Sequence, residues 1–366
     1  MKNREKIGVT ILIMILVSMV FLFGGIEKQT EHRTASTALA KTEITITDYR
    51  GRNVTLSYPV ERIVLLQHHA AWAMRLLGVE DKVAGVSKHL SEAGMYPKLS
   101  SKPVCGTWQH PNYEKIAQLR PQVVITFHPN PGPGVVEEAA RKLEPFGIKV
   151  VALRFTQMRT SQFEILAKIL GKERKAKEFL KWRESRLNPV KEGLRGLEDK
   201  VRVYNEPDFR GPYVTRPERS IDFAGGNNIA DEILPPEAME KSMEKEVSAE
   251  WILKKNPEVV IIGDWPPRVT GYRVKSCTKA TKQIKEFTQR PGMEKISAVR
   301  NSRVYVMDYE LSAGATSWIG ALYLAKILYP QRFKNLNPGQ IHKEFFEKWL
   351  RIDYQGTYVC PHPWAK

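Results

Sequence analysis

The feature that most constrains the fold is a segment that occurs twice in the chain. Residues 112–125 are Asn-Tyr-Glu-Lys-Ile-Ala-Gln-Leu-Arg-Pro-Gln-Val-Val-Ile, and residues 248–261 are Ser-Ala-Glu-Trp-Ile-Leu-Lys-Lys-Asn-Pro-Glu-Val-Val-Ile. Each copy predicts a short helix that begins at a polar capping residue, ends before a proline and leads into a buried parallel strand. The copies lie 250 − 114 = 136 residues apart, which is close to one domain length. We therefore expect two similar α/β lobes with a ligand cleft between them.

The first residues of the chain predict export from the cytoplasm. Basic residues at positions 2, 4 and 6 precede an apolar run from Ile7 to Phe23, a pattern typical of a secretory signal or a single membrane anchor. Ala38-Leu39-Ala40 offers a cleavage site, but it lies far beyond the apolar run. We favour an uncleaved anchor and keep a cleaved signal as the alternative. The protein is expected outside the cytoplasm, attached to the cell membrane by this segment or secreted.

Charge and cysteine content narrow the function classes. The formal net charge of +17 favours an anionic partner. Because the basic residues alternate with glutamates along helices such as 168–186 and the chain is exported, we expect no nucleic-acid partner. Cys105, Cys277 and Cys360 are widely spaced and include no C-x-x-C pair. This spacing predicts ordinary buried or loop thiols and no zinc site.

Strand and helix patterns alternate in two blocks, which is typical of doubly wound α/β lobes with mainly parallel sheets. A hairpin around Asp48 precedes the first block. Residues 160–187 predict one long helix between the blocks, with Gly171 as a candidate kink and an end before Pro189. The expected segments are a signal or anchor (1–26), a flexible tether (27–43), an N-terminal lobe (44–158), a connector helix (159–198), a C-terminal lobe (199–352) and a tail (353–366).

Several short motifs occur in an order that resembles one known family. They are Gly-Arg-Asn-Val-Thr-Leu at 51–56, Pro-Val-Glu-Arg-Ile-Val at 59–64, Gly-Thr-Trp at 106–108, Ala-Gly-Gly-Asn-Asn-Ile-Ala at 224–230, Arg-Pro-Gly-Met at 290–293 and Ala-Val-Arg-Asn-Ser-Arg-Val-Tyr at 298–305. The family comprises the substrate-binding proteins of ABC importers for iron-siderophore complexes, haem and cobalamin, and the resemblance covers roughly 43–352. It implies a monomer without cofactor that captures a metal chelate and delivers it to an ABC permease dimer with its ATPase.

The resemblance also implies a role for Glu114 and Glu250, which occupy equivalent positions in the two copies. In this family, one exposed glutamate on each lobe pairs with arginines of the two permease subunits. A two-fold permease presents two equivalent pockets, so a pseudo-symmetric carrier meets both at once. Each glutamate also lies near a helix N-terminus, where a carboxylate caps the helix regardless of function. Docking and capping both remain open.

The ligand site is expected at the carboxyl ends of the strands, because open α/β sheets place their binding loops there. Aromatic and amide groups with arginines suit a large, flat, oxygen-rich ligand. The resemblance matches Trp108 to a tryptophan that cobalamin-binding relatives place against their ligand, although a core position beside the sheet is the alternative. The candidate ligand-binding residues are His68, Trp108, Gln109, Arg210, Tyr213, Trp265, Arg268 and Tyr309.

Metal binding and catalysis are the competing interpretations. His68, His69, His89, His110 and His128 lie on neighbouring loops, but none has the i, i+4 spacing of a metal motif, and adjacent His68 and His69 are expected to point apart. We therefore expect no metal ligands. The chain lacks nucleophile-elbow, P-loop and zinc-protease motifs, so no catalytic residue is expected. The alternative function is a surface-anchored hydrolase or chelatase that uses Glu206 with Asp208, or Asp264 with Asp308. The ligand itself stays open among ferric siderophore, haem, cobalamin and related metal chelates.

Overall fold

The computed structural model describes residues 42–127, 134–155, 158–208, 211–215, 219–235, 238, 243–264 and 268–362. The chain from Thr42 to Lys366 forms one compact unit. The predicted signal or anchor segment and nearly all of the predicted tether lie outside the described residues. Within the described ranges, no helix combines the length and apolar character needed to cross a membrane.

The first lobe contains a hairpin and a four-stranded parallel sheet. Strands β1 (Thr42–Thr47) and β2 (Asn53–Tyr58) pair antiparallel around Asp48, as the alternating pattern predicts. The buried Asp48 carboxylate accepts hydrogen bonds from the N–H groups of Arg50 and Ala152, which ties the hairpin to the sheet. Strands β3 (Ile63–Leu65), β4 (Val83–Val86), β5 (Val123–Thr126) and β6 (Lys149–Ala152) lie in the order β4-β3-β5-β6.

The second lobe repeats this strand order. Its strands are β7 (Arg202–Glu206), β8 (Tyr213–Thr215), β9 (Asn227–Asn228), β10 (Glu244–Glu246), β11 (Val259–Asp264), β12 (Val304–Asp308) and β13 (Val359–Cys360). The parallel strands β9-β7-β11-β12 correspond in order to β4-β3-β5-β6. Strand β13, from the segment assigned as a tail, adds an antiparallel edge, and β8 pairs separately with β10. The prediction of two α/β lobes with mainly parallel sheets is confirmed.

Helices connect the strands and cover the sheets. The first lobe contains α1 (Ala71–Leu77), α2 (Lys88–Ala93), α3 (Pro97–Ser100), α4 (Tyr113–Gln118) and α5 (Val135–Leu143). Helices α6 (Ser161–Ile169) and α7 (Glu173–Gly193) follow it. The second lobe contains α8 (Ser220–Phe223), α9 (Ala249–Lys255), α10 (Thr278–Thr288), α11 (Ser297–Arg300), α12 (Tyr309–Ser312), α13 (Ser317–Leu328) and α14 (Pro338–Glu344), which a π-helical turn (Phe345–Leu350) extends.

The duplicated segment adopts the same structure in both copies. The side chains of Asn112 and Ser248 cap α4 and α9, since each accepts a hydrogen bond from the N–H three residues later, at 2.9 and 3.1 Å. The residue before each proline has a positive φ, 46° at Arg120 and 43° at Asn256. Each copy then leads into a central parallel strand, β5 or β11. The predicted helix, cap and buried strand are confirmed in both lobes.

The segment between the lobes differs from the single helix expected. Gly171 separates α6 from α7 and has a φ of 65°, and a Cβ there would lie 2.7 Å from the Tyr58 hydroxyl. Both features favour glycine at this break. The expected end before Pro189 is wrong, because α7 continues to Gly193. Leu187 and Val190 are buried on either side of the proline, so tertiary packing holds the helix against its low local propensity.

Both lobes and α7 share one aromatic core. The ring of Phe179 in α7 lies 5.6 Å from Trp72 of the first lobe and 6.2 Å from Trp318 of the second. It also lies 5.9 Å from Phe345 in the C-terminal helical segment. Arg75 of α1 donates hydrogen bonds to the carbonyl oxygens of Leu350 and Arg351. The lobes are therefore joined by packed side chains as well as by the chain itself.

The cysteines are the second point of difference. Cys277 and Cys360, 83 residues apart, form a disulfide, so the expectation of ordinary thiols is wrong for this pair. Strand β13 pairs with β12 and places Cys360 beside Cys277 at the start of α10, an approach that sequence spacing does not reveal. Cys105 is a buried free thiol, as expected.

Candidate functional site

The loops at the carboxyl ends of the two sheets meet between the lobes. His69 follows β3 in the first lobe, and Glu310 follows β12 in the second. Nδ1 of His69 lies 3.3 Å from Oε2 of Glu310. The same oxygen accepts a hydrogen bond from the N–H of Ala315 at 3.0 Å, and the rings of His69 and Tyr309 lie 6.1 Å apart. These contacts locate the candidate site in the cleft between the sheets.

Two neighbouring carboxyl groups at this contact have pKa values that are shifted in opposite directions. Burial opposes ionisation of Glu310, but the charge and hydrogen bond of His69, with the charges of Arg268 and His68, hold its pKa well below the ordinary value. Burial raises the pKa of Asp308 to about 7, and the charge of Glu310 adds to this shift. The contact between the lobes thus contains one firmly ionised carboxylate and one that titrates near neutral pH.

Three histidine rings line the first-lobe side of the contact. The His68 ring lies 4.0 Å from His69 and 5.5 Å from His89. The expectation that His68 and His69 point apart is wrong, because both lie in a tight 3₁₀ turn where the Gln67 side chain accepts a hydrogen bond from the His69 N–H. Burial and the charge of His69 lower the pKa of His68, whose Nδ1 is buried without a hydrogen-bond partner. In the part of the chain that the structure describes, no group of three or more metal-ligating side chains could hold a metal ion.

Each of the two carboxylate pairs proposed for catalysis, Glu206 with Asp208 and Asp264 with Asp308, has one member that is bound by its own lobe. Asp264 is buried and accepts hydrogen bonds from the Val269 N–H and from the N–H and hydroxyl of Thr270. Glu206 is buried and accepts two hydrogen bonds from Arg290, at 2.6 and 2.8 Å, and one from the Tyr204 hydroxyl. Both groups therefore hold strand ends and loops in place.

A second cluster of rings and cations follows β5 and β6. The Trp108 and Phe127 rings lie 5.8 Å apart, and the Arg154 guanidinium lies 5.8 Å from the Phe127 ring. Arg154 also donates a hydrogen bond to the Tyr49 hydroxyl at 2.9 Å. Arg154 is absent from the candidates above, although it follows a strand at its carboxyl end, the same signal that selects the others. Trp108 is partly exposed and packs against the first-lobe core.

The predicted ligand-binding residues divide into groups. His68, Arg268 and Tyr309 lie near the His69–Glu310 contact. Trp108 belongs to the second cluster, and its neighbour Gln109 is exposed. The Tyr213 carbonyl oxygen lies 3.1 Å from the Tyr204 hydroxyl, which places its backbone beside β7. The candidates Arg210 and Trp265, and also His128, lie outside the described residues.

Glu114 and Glu250 occupy matching surface positions. Each is the exposed second residue of its helix, α4 or α9. The described cap hydrogen bonds are made by Asn112 and Ser248, while the Glu114 carboxylate lies 3.5 Å from the Gln118 amide. Both carboxylates therefore face solvent at equivalent places on the two lobes.

Known proteins resemble this chain over most of its length. The lipoprotein YvrC of Bacillus subtilis, described as an uncharacterised ABC transporter substrate-binding lipoprotein, is 25% identical over 82% of this chain and 90% of its own length. The molybdate-binding protein MolA of Haemophilus influenzae is 24% identical over 85% of this chain and 92% of its own. The iron-uptake system-binding protein of Bacillus subtilis is 22% identical over 87% of this chain and 96% of its own length.

A solved structure shows the same fold. The TroA-like periplasmic binding protein FepB of Veillonella parvula superposes with a TM-score of 0.71 and 25% identity, covering 86% of this chain and 99% of its own. The model of the periplasmic binding protein family matches residues 63–311. Proteins of this family bind substrates for ABC transporters and are not enzymes, which rules out the hydrolase or chelatase alternative. The chain therefore belongs to the periplasmic binding protein family and is the extracytoplasmic substrate-binding protein of an ABC transporter.

Proposed function

We propose that this protein captures a metal chelate, such as a ferric siderophore, haem or cobalamin, in the interlobe cleft and delivers it to its permease. The observation that carries this proposal is the meeting of aromatic rings and cationic side chains at the carboxyl ends of both sheets. Flat rings stack on conjugated ligand surfaces, and guanidinium groups donate charge-assisted hydrogen bonds to ligand oxygens. The iron-uptake relative supports this ligand class.

We assign four of the described residues to direct ligand contact: Trp108, His68, Arg268 and Tyr309. Gln109, which follows Trp108 in sequence, and Tyr213 of the second lobe also belong to the proposed set, and Arg210 and Trp265 complete it from outside the described residues. Trp108 supplies a stacking surface because its ring is partly exposed beside Phe127. Arg268 is exposed next to the histidines, where it can meet an anionic chelate.

A second candidate ligand is an oxyanion such as molybdate. The molybdate-binding relative matches this chain as well as the iron-uptake relative does. The cleft also contains a buried ring nitrogen, Nδ1 of His68, that has no hydrogen-bond partner and donates a hydrogen bond in the tautomer that carries its proton there. An oxyanion accepts such hydrogen bonds but offers no flat surface to Trp108, so mutation of Trp108 separates the two candidates.

Native mass spectrometry of residues 40–366 tests the ligand class directly. The fragment is incubated with a ferric siderophore panel, haem, cobalamin and molybdate. We expect retention of one metal chelate, weakened by Trp108→Ala and unaffected by Phe146→Ala, which removes an exposed ring elsewhere. Retention of molybdate alone, unchanged by Trp108→Ala, would favour the oxyanion. Retention of neither class would contradict the proposal.

We also propose that residues 1–26 anchor the protein and that residues 27–43 tether it near the permease, which raises its effective concentration there. The Cys277–Cys360 disulfide agrees with an oxidising compartment outside the cytoplasm. The full-length protein should fractionate with membranes and resist carbonate extraction. Recovery from the native cell of a soluble form beginning at Lys41 would show that the segment is cleaved.

A further inference from the structure

A small cavity lies where the first lobe, α7 and the second lobe meet. Its walls include Trp72 of α1, Arg183 of α7 and Trp318 of α13, together with Arg159 and Ala315. Its volume of about 10 Å³ is close to the space that one water-sized species needs. Ala315 connects the cavity to the cleft, because its N–H donates to Glu310.

Among the described residues, three buried N–H groups of the side chains that line this cavity lack an acceptor. They are Nε of Arg183 and Nε1 of Trp72 and Trp318, in residues only 6%, 8% and 2% exposed. An indole and a guanidinium can donate hydrogen bonds but cannot accept them. Because a buried donor without a partner is costly, the cavity calls for an occupant that accepts several hydrogen bonds.

Within the described part of the chain, no carboxylate forms an ion pair with Arg183. Its Nη2 donates to the carbonyl oxygen of Met158 at 2.7 Å, and its guanidinium lies 5.7 Å from the Trp318 ring centroid. The adjacent Glu184 pairs instead with Lys191. Burial lowers the pKa of Arg183 to about 10, opposed by the charge of Glu184, so the guanidinium remains charged at neutral pH. A buried cation normally requires a partner of opposite charge.

We propose that this cavity binds one small anion, either a free halide such as chloride or a carboxylate oxygen of an anion as small as formate. Water could accept hydrogen bonds from two donors at most and would leave the charge unbalanced, whereas a monovalent anion satisfies the three donors and the guanidinium together. The site is separate from the transported ligand. By bridging α1, α7 and α13, the anion holds the two lobes together at the base of the cleft.

The test measures Tm in sodium chloride, sodium formate and sodium gluconate at constant ionic strength, since gluconate is too large for the cavity. We expect chloride or formate to raise the wild-type Tm by roughly 2–4 °C over gluconate. Arg183→Met should remove this dependence, and Arg174→Met, at an exposed position on the same helix, should keep it. Stabilisation by chloride alone assigns a free halide, and stabilisation by formate assigns a carboxylate oxygen. Equal Tm values in all three salts would overturn the proposal.

Crystals of the wild-type protein grown in sodium bromide provide a readout that does not depend on a variant. The anomalous signal should show one bromide within hydrogen-bond distance of Arg183 Nε and at least one of the indole nitrogens. An ordered water at that position without an anomalous peak would contradict the halide assignment, and together with equal Tm values would eliminate the site.

Discussion

The two lobes share a strand order but carry different chemistry at their strand ends. The first lobe presents rings and cations, including His68, Trp108 and Arg154. The second lobe presents Arg268 and Tyr309 beside several carboxyl groups, and the carboxyl groups of Glu206 and Asp264 are bound by neighbouring groups of the same lobe. A duplicated backbone therefore fixes where the loops lie, while the loop sequences decide what each lobe offers to a ligand.

On the outer surface, by contrast, the two lobes carry the same chemistry at equivalent positions. Glu114 and Glu250 remain equivalent in residue type, helix position and exposure. We infer that ligand capture is asymmetric and that permease docking is symmetric.

The largest expected effect concerns docking. Glu114→Arg or Glu250→Arg should abolish transport while ligand affinity stays nearly unchanged, because each reverses a charge at the rim and not in the cleft. Uptake by the native cell and binding by the isolated protein are measured side by side. Glu198→Arg, at an exposed position outside the duplicated segment, is the matched control. Normal transport by either variant at wild-type abundance would show that the substituted glutamate has no role in docking.

The next effect concerns the core that both lobes share. Phe179→Ala should lower the free energy of unfolding by about 3–5 kcal/mol, because it leaves a cavity among buried rings. Denaturant unfolding followed by tryptophan fluorescence measures the loss. Phe146→Ala, whose ring is 63% exposed, should change little. Equal stability of the two variants would show that the lobes do not depend on this ring.

The disulfide distinguishes the second lobe from the first. Reduction, or the double change Cys277→Ser with Cys360→Ser, should cost about 2–4 kcal/mol of stability. Thermal unfolding with and without reductant measures this. Reductant should lower the wild-type Tm and leave that of the double variant unchanged. A reductant effect of equal size on both proteins would refute the assignment.

Asp308 should make stability fall as pH rises. Its pKa is raised to about 7, so between about pH 4 and 7 the folded state keeps a proton that the unfolded state has lost. The lowered pKa of Glu310 has the opposite effect. It makes stability rise with pH, and it does so at pH values below the ordinary pKa of a glutamate. Asp308→Asn should make the slope of stability against pH less negative by up to about 1.4 kcal/mol per pH unit. Urea unfolding from pH 4.5 to 7.5 measures it, with the exposed Asp199→Asn as control, and identical slopes would contradict the assignment.

The smallest expected effect is the motion of the lobes on ligand binding. Because α7 and the aromatic core join both lobes, closure should be small. Small-angle scattering with and without ligand should give nearly the same radius of gyration. A large decrease would mean that the connection is a flexible hinge.

Local patterns predicted the repeated units well because each is specified by nearby residues. The Asn112 and Ser248 caps, the prolines and the β-branched runs are all readable within one copy. The end of α7 was misjudged because burial of Leu187 and Val190 outweighs the local effect of Pro189. The Cys277–Cys360 pairing and the His69–Glu310 contact join residues far apart in sequence, so only the folded chain reveals them.

The candidate site was predictable in outline and not in detail. The rule that strand carboxyl ends carry the site selected His68, Trp108 and Tyr309. It did not distinguish carboxylates that are free to face the cleft from those, such as Asp264, that accept hydrogen bonds from their own loop. That distinction depends on loop geometry, which spacing in sequence does not encode.

The central claim, capture of a metal chelate between the lobes, is tested most directly by anomalous diffraction at the absorption edge of the metal in crystals grown with the chelate that the protein retains. The account predicts one metal peak in the cleft, between Trp108 on the first lobe and Arg268 on the second. A peak on the outer surface, or none in crystals that contain the chelate, would contradict it.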